Sequence, residues 1–227
     1  MLYIIGTPIG NLDDLSIRQA KAIASAETLL TEDTRSTGRL LQKITELFSL
    51  QINPGQRLIS YYKENEFQKL PEIMEMLEDS KEIALISEAG MPLISDPGLL
   101  IVKTVIKKNI PFIVIPGPTA TITALAYSGF NPGEHMFLGF LPKKSSEILK
   151  LFEKLKQIKA ILPDTVFVFY ESPLRINDTL KLIDQSMPEA KISVSRELTK
   201  KFEETLRGTA KELMDQKFKG EITVAFT

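Results

Sequence analysis

Short apolar runs alternate with amphipathic segments along the first half of the chain, and this alternation restricts the fold more than any other feature. The runs at residues 2–5, 28–31, 57–61, 83–86 and 111–115 have the length and composition of buried strands. The segments between them place apolar residues at helical spacing. A regular strand–helix order predicts a mostly parallel sheet with helices on both faces.

One proline interrupts the helical pattern in this half. Pro71 has no backbone N–H to donate, and its ring obstructs the preceding turn of a helix. We therefore expect Pro71 to lie in the first turn of the third helix, where that N–H has no partner in any case.

The sequence Pro116-Gly117-Pro118 separates the two halves of the chain. Two prolines around a glycine interrupt any central strand and fit a rigid hinge. Beyond this point, strands are predicted at residues 136–140, 165–170, 191–195 and 221–226, and helices at residues 119–128, 145–159, 173–185 and 209–217. We predict an α/β protein with an N-terminal domain of residues 1–116 and a C-terminal domain of residues 117–227; a single larger sheet is the alternative.

The composition excludes several kinds of chemistry. The chain of 227 residues has no cysteine, so disulfides, thiolate nucleophiles and cysteine metal sites are excluded. Its one histidine, His135, excludes a histidine-rich metal centre, and we expect it at a loop or strand edge without a function. Any catalysis would use carboxylates, hydroxyls, lysine, arginine, backbone groups or a cofactor.

Charge and hydropathy limit the partners and the location. The net charge of −1 gives no general attraction to nucleic acid, so an RNA partner needs a local basic surface. No stretch approaches the about 20 apolar residues of a membrane span, and the first residues show no basic leader. We expect a cytoplasmic protein that is not attached to a membrane.

The longest loop rich in glycine and proline follows the apolar run at residues 83–86. After Ile86 the sequence continues Ser-Glu-Ala-Gly-Met-Pro-Leu-Ile-Ser-Asp-Pro-Gly before helical spacing resumes at Leu99. In an open α/β sheet, ligands bind beyond the carboxyl ends of the strands, so this loop is a candidate binding site. The alternative is an elaborate connection without a ligand.

Two other loops with glycine and proline follow predicted strands. Residues 6–10, Gly-Thr-Pro-Ile-Gly, lack the third glycine of a dinucleotide-binding loop, and Pro8 removes a donor that a phosphate would use. Residues 116–120 place small residues at a helix start, where a ligand can approach backbone N–H groups. A hinge with a helix cap is the alternative for this second loop.

Three polar clusters also end predicted strands, and each brings a carboxylate near a guanidinium. Such pairs orient polar substrates and change the pKa of the carboxylate, although singly they are more often ion pairs or helix caps. We expect the three to lie on the same side of one parallel sheet. They are Glu32-Asp33-Thr34-Arg35, Tyr170-Glu171-Ser172-Pro173-Leu174-Arg175 and Arg196-Glu197-Leu198-Thr199-Lys200.

One predicted helix of the second half is rich in lysine and poor in acids. A solvated helix face is the more frequent meaning of such a pattern, and contact with an RNA backbone is the alternative. The residues are Lys143, Lys144, Lys150, Lys154, Lys156 and Lys159.

Seven motifs, taken together and in order, resemble the ribosomal RNA small subunit methyltransferase I family of the tetrapyrrole methylase superfamily. They are Thr-Pro-Ile-Gly-Asn-Leu at 7–12, Glu-Asp-Thr-Arg at 32–35, the loop at 87–98, Pro-Gly-Pro-Thr-Ala at 116–120, Gly-Phe-Leu-Pro at 139–142, Tyr-Glu-Ser-Pro at 170–173 and Arg-Glu-Leu-Thr-Lys at 196–200. The resemblance spans nearly the whole chain. It implies two α/β domains with S-adenosylmethionine in the cleft between them, a homodimer, and methylation of a cytidine 2′-hydroxyl in 16S rRNA of the small ribosomal subunit.

The chain departs from this family pattern at four positions. Glu88 and Met91 stand where Asp and Thr are usual, Thr119 where Ser is common, and Leu174 where His is frequent. Glu88 keeps the acidic group with a different reach, and Met91 loses a hydroxyl. Leu174 removes a residue that could act as a base.

The resemblance also implies site residues. The cofactor pocket is expected to contain residues from both halves of the chain, namely Pro8, Ile9, Glu88, Ala89, Met91, Thr119, Ala120 and Tyr170. Methyl transfer needs a collinear arrangement of the reacting atoms and removal of a proton, without a metal. We expect Arg35 to position the nucleotide, and Asp33, Glu171 or Glu197 to accept the proton or orient the groups that do. For Asp96 there are two interpretations: it belongs to the site, or it caps the helix that begins after Pro97.

Two other functions fit the same sequence. A tetrapyrrole methyltransferase would share the fold and the cofactor pocket but accept a large planar polycarboxylate. A cofactor-free RNA-binding protein would use the lysine-rich helix and bind RNA in a strongly salt-dependent manner.

Overall fold

A computed structural model describes all residues from 1 to 227, and the chain folds into two compact units. Unit 1 comprises Met1–Thr119 and unit 2 comprises Ala120–Thr227. The sequence predicts a boundary after residue 116, inside the Pro-Gly-Pro segment, whereas the chain passes from one unit to the other after Thr119. The single larger sheet considered as an alternative is wrong, because there are two separate five-stranded sheets.

Unit 1 contains a fully parallel sheet of five short strands. The strands are β1 (Leu2–Ile5), β2 (Thr28–Thr31), β3 (Arg57–Ser60), β4 (Ile83–Ile86) and β5 (Phe112–Ile115), in the order β3-β2-β4-β1-β5. The helices are α1 (Ile17–Ser25), α2 (Thr34–Phe48), α3 (Glu66–Glu78) and α4 (Leu99–Lys107). The predicted parallel sheet is confirmed for this unit, and its strands all end at one edge.

The core of unit 1 lies on both faces of this sheet. Successive side chains of a strand point to opposite faces, and Leu29 and Leu30 of β2 accordingly pack in different clusters. The cluster with Leu30 contains residues of α3 and α4, and the cluster with Leu29 contains residues of α1 and α2. Burial on both faces explains why these strands are continuous apolar runs.

Pro71 does not lie where the sequence predicts. It lies inside α3, well beyond the first turn, so the expectation of a first-turn position is wrong. A proline there costs about 3 kcal/mol. The inner face of the helix offsets this cost by burying Ile73, Met74 and Leu77. Pro71 is exposed, and so is Phe67, whose carbonyl lacks the usual donor four residues later.

Unit 2 contains a mixed sheet. Its elements are α5 (Ala120–Ser128), β6 (His135–Phe140), α6 (Ser145–Ile161), β7 (Val166–Glu171), α7 (Ile176–Ser186), β8 (Ile192–Arg196), β9 (Glu204–Gly208), α8 (Ala210–Leu213) and β10 (Ile222–Phe226). The strand order is β6-β7-β10-β8-β9. Only β6 and β7 are parallel neighbours, and the other three pairs are antiparallel. The sequence pattern does not predict β9.

The main core of unit 2 is rich in phenylalanine. Phe226 lies at the centre, with ring centroids 6.2 Å from Phe152, 5.3 Å from Phe167 and 5.9 Å from Phe169. His135 begins β6, an edge strand, and is exposed, as its sequence context predicts. None of the helices combines the length and apolar character that crossing a bilayer requires.

Candidate active site

The loops after β1 and β4 are joined at the carboxyl edge of the unit 1 sheet. Thr7 N–H donates to the Gly90 carbonyl at 2.8 Å, and Gly90 N–H donates to the Thr7 carbonyl at 3.1 Å. The buried Thr7 hydroxyl also donates to the Ser87 carbonyl at 3.1 Å. These bonds fix the loop after β4, residues 87–98, at the place where open α/β sheets bind ligands, and we call it the central loop.

The loops after β1 and β5 touch backbone to backbone. A Cβ on Gly6 would lie 2.7 Å from Gly117 N, and a Cβ on Gly117 would lie 2.8 Å from Gly6 C. The buried Gln19 side chain of α1 donates to the Gly6 carbonyl at 2.7 Å and to the Pro116 carbonyl at 3.2 Å. Glycine at both positions is therefore required by this close approach.

Met91 has a structural place that the sequence does not suggest. Gly117 N–H donates to the Met91 sulfur at 3.3 Å, which ties the central loop to the loop after β5. Compared with the family pattern, Met91 loses a hydroxyl but its sulfur accepts this backbone hydrogen bond.

The predicted cofactor residues of unit 1 differ in exposure. Pro8 and Ile9 are buried, and the Ile9 side chain packs against Gly90, whose added Cβ would lie 3.4 Å from Ile9 Cγ2. Glu88 and Ala89 are exposed at the tip of the loop. Met91 and Thr119 are half-buried. Ile9 therefore supports the central loop, while Glu88 and Ala89 are accessible to a ligand.

Three carboxyl groups lie near one another at this edge. Burial, followed by the negative charges of Asp96 and Glu88, raises the pKa of the Glu32 carboxyl from 4.5 to about 7. Burial and the charge of Glu88 raise the pKa of Asp96 from 3.8 to about 6, against a hydrogen bond from Ser87 that lowers it. We call Glu32, Glu88 and Asp96 the acidic group. Such perturbed carboxyls are typical of functional sites, and they favour a cationic ligand.

Glu32 was missing from the predicted site residues. Two adjacent carboxylates follow β2, and the family resemblance implies a catalytic role for Asp33 rather than for Glu32. In the structure Asp33 is the N-cap of α2, and its carboxylate accepts from Arg35 N–H at 2.7 Å. The neighbouring Glu32 belongs to the acidic group instead. The one sequence signal for this is its position directly after a buried strand.

Arg35 forms no ion pair and is exposed. The prediction that a guanidinium is fixed beside a carboxylate is therefore wrong for this cluster. An exposed arginine remains available to a polyanionic substrate.

Asp96 does not cap α4. The N-cap of α4 is Gly98, without a side-chain cap, and Gly98 N–H donates to Glu66 Oε1 at 2.8 Å. The expectation that Asp96 caps this helix is therefore wrong, and Asp96 belongs to the acidic group.

Tyr170 of unit 2 lies in an aromatic cluster. Its ring packs edge-on against Phe137, with centroids 4.9 Å apart, and against Phe140, with centroids 5.5 Å apart. Its hydroxyl shares a hydrogen bond of 3.1 Å with Thr121, in the first turn of α5. Ala120 is the first residue of that helix and is half-buried.

Glu171 is held from several sides. Its Oε2 accepts from Arg175 at 3.1 Å and from Thr179 at 2.8 Å, and its Oε1 accepts from Ser172 N–H at 2.8 Å. The Arg175 guanidinium also donates to the carbonyls of Leu141 and Pro142. The predicted carboxylate–guanidinium pair is confirmed here, and it joins the loops after β6 and β7.

Glu197 has a pKa below its ordinary value. The backbone N–H of Glu221 donates to it at 2.9 Å, and Lys200 and Arg196 add positive charge. Its ion-pair partner is Lys200, at 3.1 Å, whereas Arg196 pairs with Glu204 at 2.7 Å. Arg196 is therefore close enough to Glu197 to lower its pKa, as the predicted cluster implies, but the ion pairs of these two residues are with other partners.

The three polar clusters are not on one sheet. The first follows β2 in unit 1, whereas the other two follow β7 and β8 in unit 2. Both β7 and β8 pair antiparallel with β10 and so run parallel to each other. Only these two clusters share an edge, and the expectation of a common side for all three is wrong.

Comparisons with known proteins agree with the fold and extend to sequence. A family model described as Tetrapyrrole (Corrin/Porphyrin) Methylases matches residues 1–214. The chain is 38% identical to ribosomal RNA small subunit methyltransferase I of a Hydrogenobaculum species, over 100% of this chain and 95% of that protein. It is 36% identical to the protein of the same name from Thermotoga maritima, over 100% and 97% of the two chains.

A solved structure supports the architecture. The methyltransferase CobJ matches with a TM-score of 0.69 at 17% identity, over 99% of this chain and 92% of that chain. At this identity the likeness concerns the fold alone.

Proposed function

Because the chain belongs to the tetrapyrrole methylase family, within its group of ribosomal RNA small subunit methyltransferase I proteins, we propose that it transfers a methyl group from S-adenosylmethionine to RNA of the small ribosomal subunit. The acceptor that we propose is the 2′-hydroxyl of a cytidine in 16S rRNA. The observation that carries this proposal is the acidic group at the carboxyl edge of the unit 1 sheet, beside the central loop.

The donor set fits the cofactor. S-adenosylmethionine supplies a methyl group on a positively charged sulfur and also carries an ammonium group. Glu88 is the exposed member of the acidic group, and its negative charge attracts such cations. Ala89 follows Glu88 and is also exposed. The loop after β5 runs beside this loop, because a Cβ on Gly90 would lie 3.6 Å from the Pro118 carbonyl oxygen, and half-buried Thr119 follows Pro118. We propose that these residues, with the predicted Pro8, Ile9, Met91, Ala120 and Tyr170, hold the cofactor.

We propose Glu32 as the group that removes the proton from the ribose hydroxyl. A general base works best when its pKa lies near the working pH, and burial and charge bring Glu32 to about 7. The proton moves from the hydroxyl oxygen to a carboxylate oxygen of Glu32. The family resemblance implies this role for Asp33, Glu171 or Glu197. Each of these carboxylates already accepts hydrogen bonds within the protein, so we propose that they position other groups. We propose that Arg35 contacts the RNA.

The decisive experiment uses labelled S-adenosylmethionine. The protein is incubated with small ribosomal subunits from a strain that lacks the modification, and the labelled nucleotide is mapped. We expect label on a cytidine ribose, and a loss of about 100-fold or more in rate for Glu32→Gln. A precorrin-type tetrapyrrole serves as the competing substrate. Label on the tetrapyrrole alone, or none on rRNA, contradicts the proposal.

The rate should also depend on pH in a defined direction. Glu32 accepts a proton only as the carboxylate, so turnover should rise with pH through about 7 and level off above it. We expect this rise in single-turnover measurements. A rate that is flat from pH 5.5 to 8.5 contradicts the assignment of Glu32.

We further propose a homodimer that acts in the cytoplasm, where its proposed substrate is made. Unit 1 offers apolar surface for self-association: Ile113 and Val114 of the edge strand β5 are exposed, next to a groove of about 720 Å³ that Tyr3 and Ile17 help to line. Light scattering during gel filtration should give the dimer mass, and Ile113→Lys should give the monomer. A monomeric parent protein at micromolar concentration contradicts this proposal.

A further inference from the structure

Three exposed apolar side chains lie at the carboxyl edge of the unit 2 sheet. Phe140 ends β6 and is 60% exposed, Leu174 follows β7 and is 91% exposed, and Phe202 follows β8 and is 64% exposed. Because β6, β7 and β8 run parallel, their following loops all leave the sheet at this edge. Two exposed phenylalanines and an exposed leucine at one edge of a sheet indicate a binding surface. We call Phe140, Leu174 and Phe202 the apolar edge.

The backbone is shaped to expose Phe140. The pairing of β6 with β7 is irregular between Phe137 and Phe140, and Gly139 in that interval has a φ of +68°. A bulge of this kind redirects the following side chain. Phe140 consequently packs edge-on against Tyr170 at 5.5 Å between ring centroids, while more than half of its surface faces solvent. The Phe140 ring is thus supported by the Tyr170 ring and is still accessible to a ligand.

Lysines accompany the exposed rings. Lys143 and Lys144 follow Phe140 within the next loop and are exposed; Lys143 has no ion pair, and Lys144 lies 3.6 Å from Glu147. Lys201 Nζ lies over the Phe202 ring, 5.7 Å from its centroid. The acids beside these loops are engaged: Glu171 with Arg175, Glu197 with Lys200, and Glu203 with the Tyr127 hydroxyl and the Thr199 N–H.

The arrangement differs from the lysine-rich helix face that the sequence predicts. Lys156 pairs with Glu153, and Lys159 donates to Thr227 and to backbone carbonyls. Lys150 and Lys154 are exposed on α6, and neither lies over an aromatic ring. Lys201 lies over an aromatic ring, and Lys143 and Lys144 lie within four residues of Phe140 along the chain.

We infer that the apolar edge and its lysines bind a single-stranded segment of RNA, with Phe140 and Phe202 stacking on bases and Lys143, Lys144 and Lys201 contacting phosphates. This inference rests on the proposed function, since it names the form of RNA that the enzyme receives. Aromatic rings stack on unpaired bases, which a duplex does not offer. Neighbouring strands lie about 4.8 Å apart. In the order β6-β7-β10-β8, three such spacings separate β6 from β8, so their ends are about 14 Å apart. This distance suits two or three successive nucleotides.

The test measures binding of the full chain to a fluorescein-labelled 20-nucleotide RNA, single-stranded or annealed to its complement. We expect tighter binding of the single strand, and a loss of about tenfold for Phe140→Ala and for Phe202→Ala. Phe140→Tyr should restore most of the affinity, because it keeps an aromatic face. Phe67→Ala is the matched control, since Phe67 is 80% exposed on α3 in unit 1 and should not matter.

Salt titrations separate stacking from charge. The double variant Lys143→Ala/Lys144→Ala should reduce the slope of log Kd against log salt by about 1.4, while Phe140→Ala leaves the slope unchanged. Lys150→Ala/Lys154→Ala is the control on α6. Preference of the parent protein for the duplex, no measurable single-strand binding, or equal effects of the two lysine pairs would overturn the inference. Methyl transfer to small subunits in the same preparations reports separately on the proposed function.

Discussion

Glu32 is a partly buried carboxyl group beside two others, and its negative charge therefore costs folding free energy. Its pKa of about 7 in the folded chain exceeds the ordinary 4.5. The folded protein thus binds more protons than the unfolded chain between these values, so the contribution of Glu32 to stability is fully present below about pH 4.5 and is lost as the pH rises through about 7.

Replacing Glu32 should separate stability from activity. We expect Glu32→Gln to be more stable than the parent by about 1 kcal/mol at pH 8, after allowance for solvent screening, and equal to it at pH 4. Urea unfolding at the two pH values measures this difference. Glu75→Gln, on the exposed side of α3, is the control that should change nothing. A variant destabilised at pH 8 would contradict the assigned burial and charge.

Gly117 offers a second test at the level of one atom. Gly117→Ala would place a Cβ 2.7 Å from Gln19 Nε2 and 2.8 Å from Gly6 C, and we expect it to lower the free energy of unfolding by about 1–3 kcal/mol. Gly38→Ala is the matched control, because that glycine lies inside α2 with nothing within 4 Å of the added atom. It should raise stability by about 0.5–1 kcal/mol. Both changes are measured by urea denaturation, and equal effects would contradict the close approach.

At the scale of elements, α1 determines how the loops after β1 and β5 are held. The helix begins with a capping box, in which Ser16 accepts from Gln19 N–H and Ser16 N–H donates to Gln19 Oε1 at 2.6 Å. The same glutamine side chain then uses its amide nitrogen on the Gly6 and Pro116 carbonyls. One residue therefore starts the helix and joins two loops of the site.

Gln19→Leu should break this connection while keeping the size of the side chain. We expect a loss of about 2–3 kcal/mol in unfolding free energy, because two carbonyls lose their donor in a buried place. Calorimetry should also show weaker binding of S-adenosylmethionine, since the loops after β1 and β5 supply proposed cofactor residues. Gln42→Leu, on the exposed part of α2, is the control. Unchanged stability of Gln19→Leu would contradict this account.

Asp33 tests a helix cap against a catalytic role. Asp33→Ala removes the cap of α2 and should cost about 1 kcal/mol, whereas Asp33→Asn keeps a capping oxygen and should retain stability. If Asp33 only positions α2, Asp33→Asn also keeps the methyl-transfer rate. A stable Asp33→Asn variant without turnover would instead support the catalytic role that the sequence predicts.

The sequence predicts those elements whose burial gives them a clear apolar pattern. The nine predicted strands agree with the observed bounds to within one residue at either end, because each is an apolar run ended by turn residues. Strand β9, Glu-Thr-Leu-Arg-Gly, was missed because it is an exposed edge strand whose charged residues conceal its alternation. Pro71 was misplaced because tertiary packing of α3 outweighs the local cost of a proline.

At the scale of the whole molecule, each unit has its own hydrophobic core. The large clusters of unit 1 contain residues of unit 1 alone, and the same holds for unit 2. Side-chain identities could not predict which strands share a sheet edge, since that depends on chain connections distant in sequence. For this reason the three polar clusters were expected together, and Glu32 and the apolar edge emerged only from the structure.

Separate cores predict separate unfolding. Phe152→Ala removes a fully buried ring that packs against Phe226 and should cost about 3–5 kcal/mol. In differential scanning calorimetry we expect two transitions, of which this variant lowers one and leaves the other in place. Leu30→Ala, in the core of unit 1, should lower the other. A single transition that both variants shift equally would contradict independent cores.

The sulfur of Met91 has a consequence for oxidative damage. The chain has no cysteine, so the sulfur atoms that peroxide can oxidise are those of methionine. Met91 Sδ accepts the Gly117 N–H and lies where a Cβ on Gly6 would come within 2.6 Å of it. A sulfoxide oxygen added at this sulfur has little room between the two loops, so mild peroxide should inactivate the enzyme. Methionine sulfoxide reductase should restore the activity, and the Met91→Leu variant should resist the inactivation.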